Sequence, residues 1–299
     1  MTGAGTRMGE VDALRSRLHG AGYVADRDLA AAMLLMIDLG RPLLLEGDAG
    51  VGKTEVAKAL AAASGARLIR LQCYEGLDAH AAMYEWNYQR QLLAIKLLEH
   101  DDRPVAQKEQ DIFSDRYLLK RPLLEAISCE KAPVLLIDEI DRADEAFEAY
   151  LLELLSDFQM SIPELGTVEA VSRPLVVITS NGTRELSDAL RRRCLYQYID
   201  YPAFEKELAI VELKAPRAAG ELARQLVSFV QEARRMELRK KPGIAETLDW
   251  AAALLRLGIT RIDDDGAEPI LETLAALIKT REDRAEFTRD VVERIAAGC

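Results

Sequence analysis

Residues 47–54 read Gly47-Asp48-Ala49-Gly50-Val51-Gly52-Lys53-Thr54, a complete G-x-x-x-x-G-K-[ST] string. Its glycines let successive backbone N–H groups turn inward around phosphate oxygens. Lys53 is placed to reach β- and γ-phosphates, and Thr54 to offer a hydroxyl to Mg²⁺. The flanks decide the fold. Arg41-Pro42 opens the segment, Leu43-Leu44-Leu45 is a short apolar run of buried-strand type, and Thr54 to Ala63 carries a helical pattern. Strand, loop and helix in this order aim a helix N-terminus at an anion. ATP with Mg²⁺ is therefore the expected ligand.

Outward from the loop, strand-like runs recur at 43–46, 68–72, 134–137, 175–179 and 195–199, with helical patterns between them. Strands alternating with helices predict an α/β fold, a parallel sheet sandwiched by helices. The runs at 134–137 and 175–179 are almost wholly aliphatic, as strands covered on both faces require. Upstream, residues 11–39 have helical spacing with a break at Gly20–Gly22, and Asp26 is a candidate cap for a helix from Arg27 to Leu39. Beyond Phe204 only helical periods remain: Leu222, Leu226, Phe229, Ala233; Leu248, Ala251, Leu255; Ile270, Leu274, Leu277; Phe287, Val291, Ile295. The change near Tyr201-Pro202 predicts a core over 1–202 and a smaller all-α domain over 203–299.

The chain has 299 residues, 49% of them hydrophobic and 30% charged, with a formal net charge of −11. An acidic balance argues against a dedicated nucleic-acid binder. Cys73, Cys129, Cys194 and Cys299 form no C-x-x-C pair, and His19, His80 and His100 are dispersed. Neither set predicts a thiolate or histidine metal cluster, and this cysteine usage matches a reducing cytoplasm. Met1 to Arg17 lacks the apolar run of a secretory leader, and no stretch is long and apolar enough to span a membrane.

Three further strings supply chemistry. Val134-Leu135-Leu136-Ile137-Asp138-Glu139 is an apolar strand ending in two carboxylates. Asp138 suits the surroundings of Mg²⁺, and Glu139 can polarise a water for in-line attack on the γ-phosphorus. Val176 to Asn181 is a second buried strand with a polar end, so Asn181 can orient that water, although Asn181-Gly182 is also an ordinary turn dipeptide. Arg191-Arg192-Arg193 closes a helix predicted from Glu185. These arginines either complement the helix dipole or serve a neighbouring subunit's transition state.

The four motifs, in this order, resemble an AAA+ ATPase: Walker A (47–54), Walker B (134–139), sensor 1 (Asn181) and an arginine finger. Within AAA+ the chain is similar to the MoxR family and to CoxD-like accessory ATPases of carbon monoxide dehydrogenase operons. The strings carrying this are Leu71 to Asp78, Tyr84 to Arg90, Ile137 to Ala143, Phe147 to Phe158, Ile162 to Gly166 and Arg192 to Tyr196. The resemblance covers roughly residues 25–290 and implies a P-loop NTPase core with a helical lid. It also implies a homo-oligomeric, usually hexameric ring and a trans-acting finger, Arg193 first and Arg192 second. Where many MoxR-type lids carry Ser-Pro-Arg, this chain reads Pro242-Gly243-Ile244-Ala245-Glu246-Thr247. A sensor 2 is therefore unassigned, with Arg239, Lys240 or Lys241 as substitutes.

Gln159–Ile162 and Thr167–Ala170 flank a Pro/Gly loop and predict a β-hairpin, which either faces a central pore or simply packs. Tyr84, Trp86 and Tyr88 alternate and are either core residues or contacts for a client protein. Asp101 to Pro104 and Asp263 to Gly266 read as solvated loops, the second lacking the pattern of a calcium loop. The resemblance implies ATP-driven, chaperone-like remodelling of a metalloenzyme such as a molybdenum- and copper-containing CO dehydrogenase, with a von Willebrand A-domain partner. The competing expectations are a DNA-acting motor and an ATP-dependent binding switch with little turnover.

Overall fold

The computed structural model describes residues 3–78, 82–98, 103–262 and 267–299. His80, His100, Asp101, Asp102 and the acidic stretch 263–266 lie outside them. The chain divides into two compact units. One comprises Met1–Leu14, Arg27–Glu46 and Ala57–Gln197; the other comprises Arg15–Asp26, Gly47–Val56 and Tyr198–Cys299.

The first unit is built on a five-stranded sheet of β1 (Leu43–Glu46), β2 (Leu68–Gln72), β5 (Val134–Asp138), β8 (Leu175–Ser180) and β9 (Leu195–Tyr198), in the order β2-β5-β8-β1-β9. Parallel register pairs Gln72 with Asp138, Ile137 with Ile178, and Glu46 with Ser180. Every residue of β5 is buried, which is why the sequence is aliphatic there up to Asp138. Leu44, Ile69, Leu135, Ile137 and Ile178 join Phe147, Leu151 and Leu155 of the helix Glu145–Asp157 in one apolar cluster. Asp144 caps that helix by accepting the Phe147 N–H at 2.8 Å.

Two small antiparallel pairs decorate this unit. β3 (Tyr84–Trp86) pairs with β4 (Leu118–Lys120), a connection that the sequence does not predict. Tyr84 and Trp86 are buried and Tyr88 is exposed, so the aromatic alternation divides between core and surface. β6 (Gln159–Ile162) and β7 (Gly166–Glu169) form the predicted hairpin, and Met160 and Ile162 enter the core cluster.

The second unit carries α9 (Phe204–Lys214), α10 (Glu221–Arg235), α11 (Ile244–Arg256), α12 (Ala267–Leu277), α13 (Arg281–Glu286) and α14 (Arg289–Ala296), numbered in chain order after α1 (Gly3–Gly20), α2 (Arg27–Leu39), α3 (Lys53–Ser64), α4 (Tyr88–Leu97), α5 (Val105–Ile112), α6 (Pro122–Ser128), α7 (Glu145–Asp157) and α8 (Asp188–Arg193). Phe229, Trp250 and Phe287 meet at its centre, with ring centroids 4.9 Å apart for Phe229–Trp250 and 6.3 Å for Phe229–Phe287. The Trp250 indole N–H donates to the Thr273 hydroxyl at 2.9 Å, so the buried ring leaves no polar loss. The last helical period is broken where a single helix was expected. Thr288 accepts the Val291 N–H at 3.4 Å and starts α14 afresh, leaving Phe287 outside it.

No helix among the described residues is long and apolar enough to cross a membrane.

Candidate functional site

The eight-residue loop belongs to the second unit. It leaves β1 after Glu46 and runs into α3 at Lys53, so Thr54 occupies the helix's first turn. Gly50 (φ 84°) and Gly52 (φ 94°) lie in the left-handed region, where a side chain is strained. Alternating such glycines with ordinary residues turns consecutive N–H groups toward one side, the concavity that holds anions. Gly47 is fixed for another reason: a Cβ there would lie 2.1 Å from the Ile199 carbonyl oxygen. Lys53 is buried and folds back along the loop, donating to the carbonyls of Gly47 and Asp48 at 2.7 Å each.

The same unit supports this loop from behind. The Ile244 N–H donates to the Gly50 carbonyl at 2.9 Å. Burial first, and then the nearby Asp48 carboxylate, push the Tyr201 hydroxyl up in pKa. The Arg234 guanidinium lies 5.0 Å from the centroid of the Tyr201 ring. Arg234 in turn forms a bidentate pair with Glu207, at 2.5 and 2.6 Å, and both side chains are buried. Thr247 Oγ1 donates to Glu207 at 2.9 Å, and Arg234 Nε donates to the Pro242 carbonyl at 2.8 Å.

Within the first unit, β5 delivers Asp138 and Glu139. Asp138 is buried; its Oδ1 accepts the Thr179 hydroxyl at 2.6 Å, and its Oδ2 accepts Arg70 Nη2 at 2.6 Å and Nε at 3.0 Å. Glu139 sits at φ 56°, ψ 51°, unusual for a residue with a Cβ. Its N–H donates to Thr179 Oγ1 at 2.9 Å, and its carboxylate accepts from Gln72 Nε2 at 3.1 Å and from Arg142 Nε at 2.8 Å. A strained backbone held by several partners is a common property of reactive centres. Cys73 lies in this acidic neighbourhood. Burial first, then Asp138, Asp141 and Glu139, pushes its thiol up to about 12.

Asn181 follows β8 directly, and its backbone N–H donates to Asp141 Oδ1 at 3.1 Å. Asp141 also accepts the Thr183 N–H at 3.1 Å and the Thr183 hydroxyl at 2.6 Å. Burial alone would raise the Asp141 carboxyl; these donors outweigh it and hold its pKa below the ordinary value. A second buried carboxylate, Glu148, pairs with Arg184 and accepts the Ser187 N–H at 2.9 Å. These contacts keep 181–187 non-helical, so α8 starts at Asp188 with Ser187 as its cap, not at Glu185 as expected.

The three arginines of α8 differ. Arg191 pairs with Glu46 at 3.1 Å. Arg193 donates to Ser156 Oγ at 2.6 Å and to the Ala189 carbonyl at 3.1 Å. Arg192 is exposed, and among the described residues its guanidinium makes no hydrogen bond or ion pair.

The structure thus groups Asp138, Glu139, Asn181 and the arginine helix in one unit and the Gly47–Thr54 loop in the other. Sequence reasoning missed Arg70, Gln72, Asp141 and Glu148. A signal existed for the first two: positions 70 and 72 share one face of β2 and are polar in an otherwise aliphatic strand. The donors named for Mg²⁺, the Thr54 hydroxyl and the Asp138 carboxylate, are hard oxygens of the kind this ion takes alongside phosphates and water. Their chemistry fits it.

Residues 42–194 match the sequence profile described as AAA domain (dynein-related subfamily). An uncharacterized protein of Staphylococcus haemolyticus (strain JCSC1435) is 24% identical over 229 residues, covering 74% of this chain and 78% of that protein. An uncharacterized protein of Staphylococcus aureus (strain bovine RF122 / ET3-1) is 25% identical over the same shares. Among solved structures, a mutant of Thermotoga maritima RuvB gives a TM-score of 0.47 at 19% identity, covering 83% of this chain and 68% of that one. The Thermotoga maritima RuvB Holliday junction branch migration motor gives 0.44 at 19% identity, covering 86% and 69%.

Proposed function

The chain belongs to the AAA domain family, dynein-related subfamily, and from that premise we propose that it binds and hydrolyses Mg-ATP to remodel a protein client. The observation that carries this reading is the paired left-handed glycines, Gly50 and Gly52, immediately before a helix that starts at Lys53. That backbone turns N–H groups toward one point beside a helix N-terminus, which suits a polyphosphate. In this reading residues 1–202 form the nucleotide-binding core and 203–299 the lid. Gly47 to Thr54 hold the phosphates, and Thr54 and Asp138 serve the Mg²⁺ ion, which neutralises charge on the β- and γ-phosphates when bound. Glu139 draws a proton from the attacking water and Asn181 orients that water.

The trans arginine is Arg193 or Arg192. The unengaged guanidinium of Arg192 supports Arg192, because reaching across to a neighbour breaks no bond within the subunit. A trans residue requires a homo-oligomer, and a hexameric ring is the usual form of this arrangement. By resemblance to MoxR-type proteins, the client is a metalloenzyme such as a molybdenum- and copper-containing CO dehydrogenase, acting in the cytoplasm with a von Willebrand A-domain protein.

Glu139→Gln is the direct test. The variant should bind ATP with unchanged affinity while steady-state turnover falls about 10²–10⁴-fold, the range for loss of a general base. Undiminished turnover would refute the base assignment.

A further inference from the structure

The start of α11 carries no arginine. Glu246 caps the helix start there, its Oε2 accepting the Gly243 N–H at 3.0 Å. That carboxylate takes up the Gly243 N–H and not the other N–H groups of the first turn. One of them, the N–H of Ile244, donates to the Gly50 carbonyl at 2.9 Å.

This contact has a demanding geometry. A Cβ on Gly243 would lie 2.7 Å from the Gly50 oxygen, 2.8 Å from its Cα and 2.9 Å from its carbonyl carbon. Gly243 itself has φ −87° and ψ −175°, extended backbone open to any residue. Glycine is therefore required at 243 by the approach of the loop and not by its own torsions. Gly50, with φ 84°, needs glycine for its torsion and is also close to Gly243. Two glycines from distant parts of the chain meet, and beside them the Ile244 N–H donates to the Gly50 carbonyl.

The peptide bond between Gly50 and Val51 is planar and trans, so its C=O and N–H point in opposite directions. Holding the Gly50 oxygen against α11 turns the Val51 N–H away from α11. In an anion-binding loop, the orientation of each such N–H decides whether it helps or repels a phosphate.

We propose that the N-terminus of α11 is a positioning element for the phosphate loop: Ile244 N–H, admitted by Gly243, fixes the Gly50–Val51 peptide in its anion-binding orientation. In this chain a backbone contact takes the place of a side-chain nucleotide sensor in the lid. The proposal rests on the reading that the loop binds ATP, and it names Gly243 and Ile244 as positioning residues. Because the peptide serves ground state and transition state alike, its loss raises KM and leaves kcat nearly unchanged.

The test compares Ile244→Pro with Ile244→Ala in the full chain. Ile244 is the first residue of α11, where proline is well tolerated, and the extended Gly243 before it suits proline too. Both variants lose the isoleucine side chain; the proline variant alone also loses the N–H. Titration with a fluorescent ADP analogue and Mg²⁺ should show Ile244→Pro binding about fivefold to tenfold more weakly than Ile244→Ala, the equivalent of one net hydrogen bond. KM for ATP should rise in parallel at near-constant kcat. Gly243→Ala should weaken binding likewise, and it decides the matter if the proline variant does not fold. Equal affinity of Ile244→Pro and Ile244→Ala overturns the proposal, as does wild-type affinity in Gly243→Ala. Failure of the wild type itself to bind nucleotide would instead overturn the reading of the loop, and the proposal with it.

Discussion

The Arg70 guanidinium lies against Oδ2 of Asp138, with Nη2 at 2.6 Å and Nε at 3.0 Å. Asp138 is buried and Arg70 is half exposed, so the arginine supplies the counter-charge that a buried carboxylate needs. In the proposed site the same carboxylate serves Mg²⁺. Arg70→Met should therefore lower thermal stability without ligand, by about 1–3 kcal/mol for a carboxylate left partly unsatisfied. It should also reduce the Mg²⁺ concentration needed to stabilise the ADP complex. Melting curves across a Mg²⁺ series at fixed ADP measure both; a variant that needs more Mg²⁺ than wild type would show that Arg70 assists the metal and does not compete with it.

Arg192 and Arg193 should separate by phenotype. Arg192→Ala leaves the subunit's internal bonds intact and should cut ATP turnover on the order of 10³-fold at unchanged melting temperature. Arg193→Ala loses hydrogen bonds to Ser156 and Ala189 and should cost about 0.5–1.5 kcal/mol of stability. Mixing Arg192→Ala with Glu139→Gln subunits should restore part of the activity, since each supplies what the other's site lacks. If mixing restores nothing, the arginine does not act across subunits.

The Glu207–Arg234 pair is the electrostatic centre of the helical unit. Removing one member leaves a buried charge alone, which costs about 3–5 kcal/mol. Arg234→Met should lower stability by that amount in chemical denaturation. It should also release Tyr201, so the tyrosine becomes more accessible to ultraviolet difference titration. A loss below about 1 kcal/mol would mean that water reaches Glu207.

Asp141 links stability to pH. Its folded pKa is depressed below the ordinary carboxylate value, so its contribution is present above that value. It is lost as pH falls through the lower, folded-state value. Asp283 behaves alike: burial opposes the shift, while the Thr280 hydroxyl and the N–H groups of Arg239 and Lys240 lower its pKa. Denaturation free energy should accordingly fall on the acid side of the carboxylate range, and Asp141→Asn should flatten that limb. An unchanged slope in the variant would exclude Asp141 as a contributor.

Much of the sheet was legible because its strands are short aliphatic runs ending in polar residues. The predicted run 68–72 is β2 to the residue, and 134–137 falls one short of β5, because Asp138 is a buried strand residue of the wrong polarity for a hydrophobic pattern. The β3–β4 pair was not legible: Tyr84 and Leu118 are far apart in sequence, and no local turn signals their pairing. Arg70, Asp141 and Glu148 escaped for a different reason. All three are charged and look like surface; only the fold reveals that Arg70 meets the Asp138 carboxylate and that Asp141 and Glu148 are buried among donors. The role of Gly243 was unreadable too, since its neighbour Gly50 is remote along the chain.

Residues 181–187 join the end of β8 to α8, and two buried carboxylates grip them along their length. A connector tied down at Asn181, Thr183, Arg184 and Ser187 has little slack to take up, so it behaves as a strut and not as a hinge. The place where α8 begins, and with it the start of the three-arginine run, is thus fixed by Asp141 and Glu148 from outside the connector.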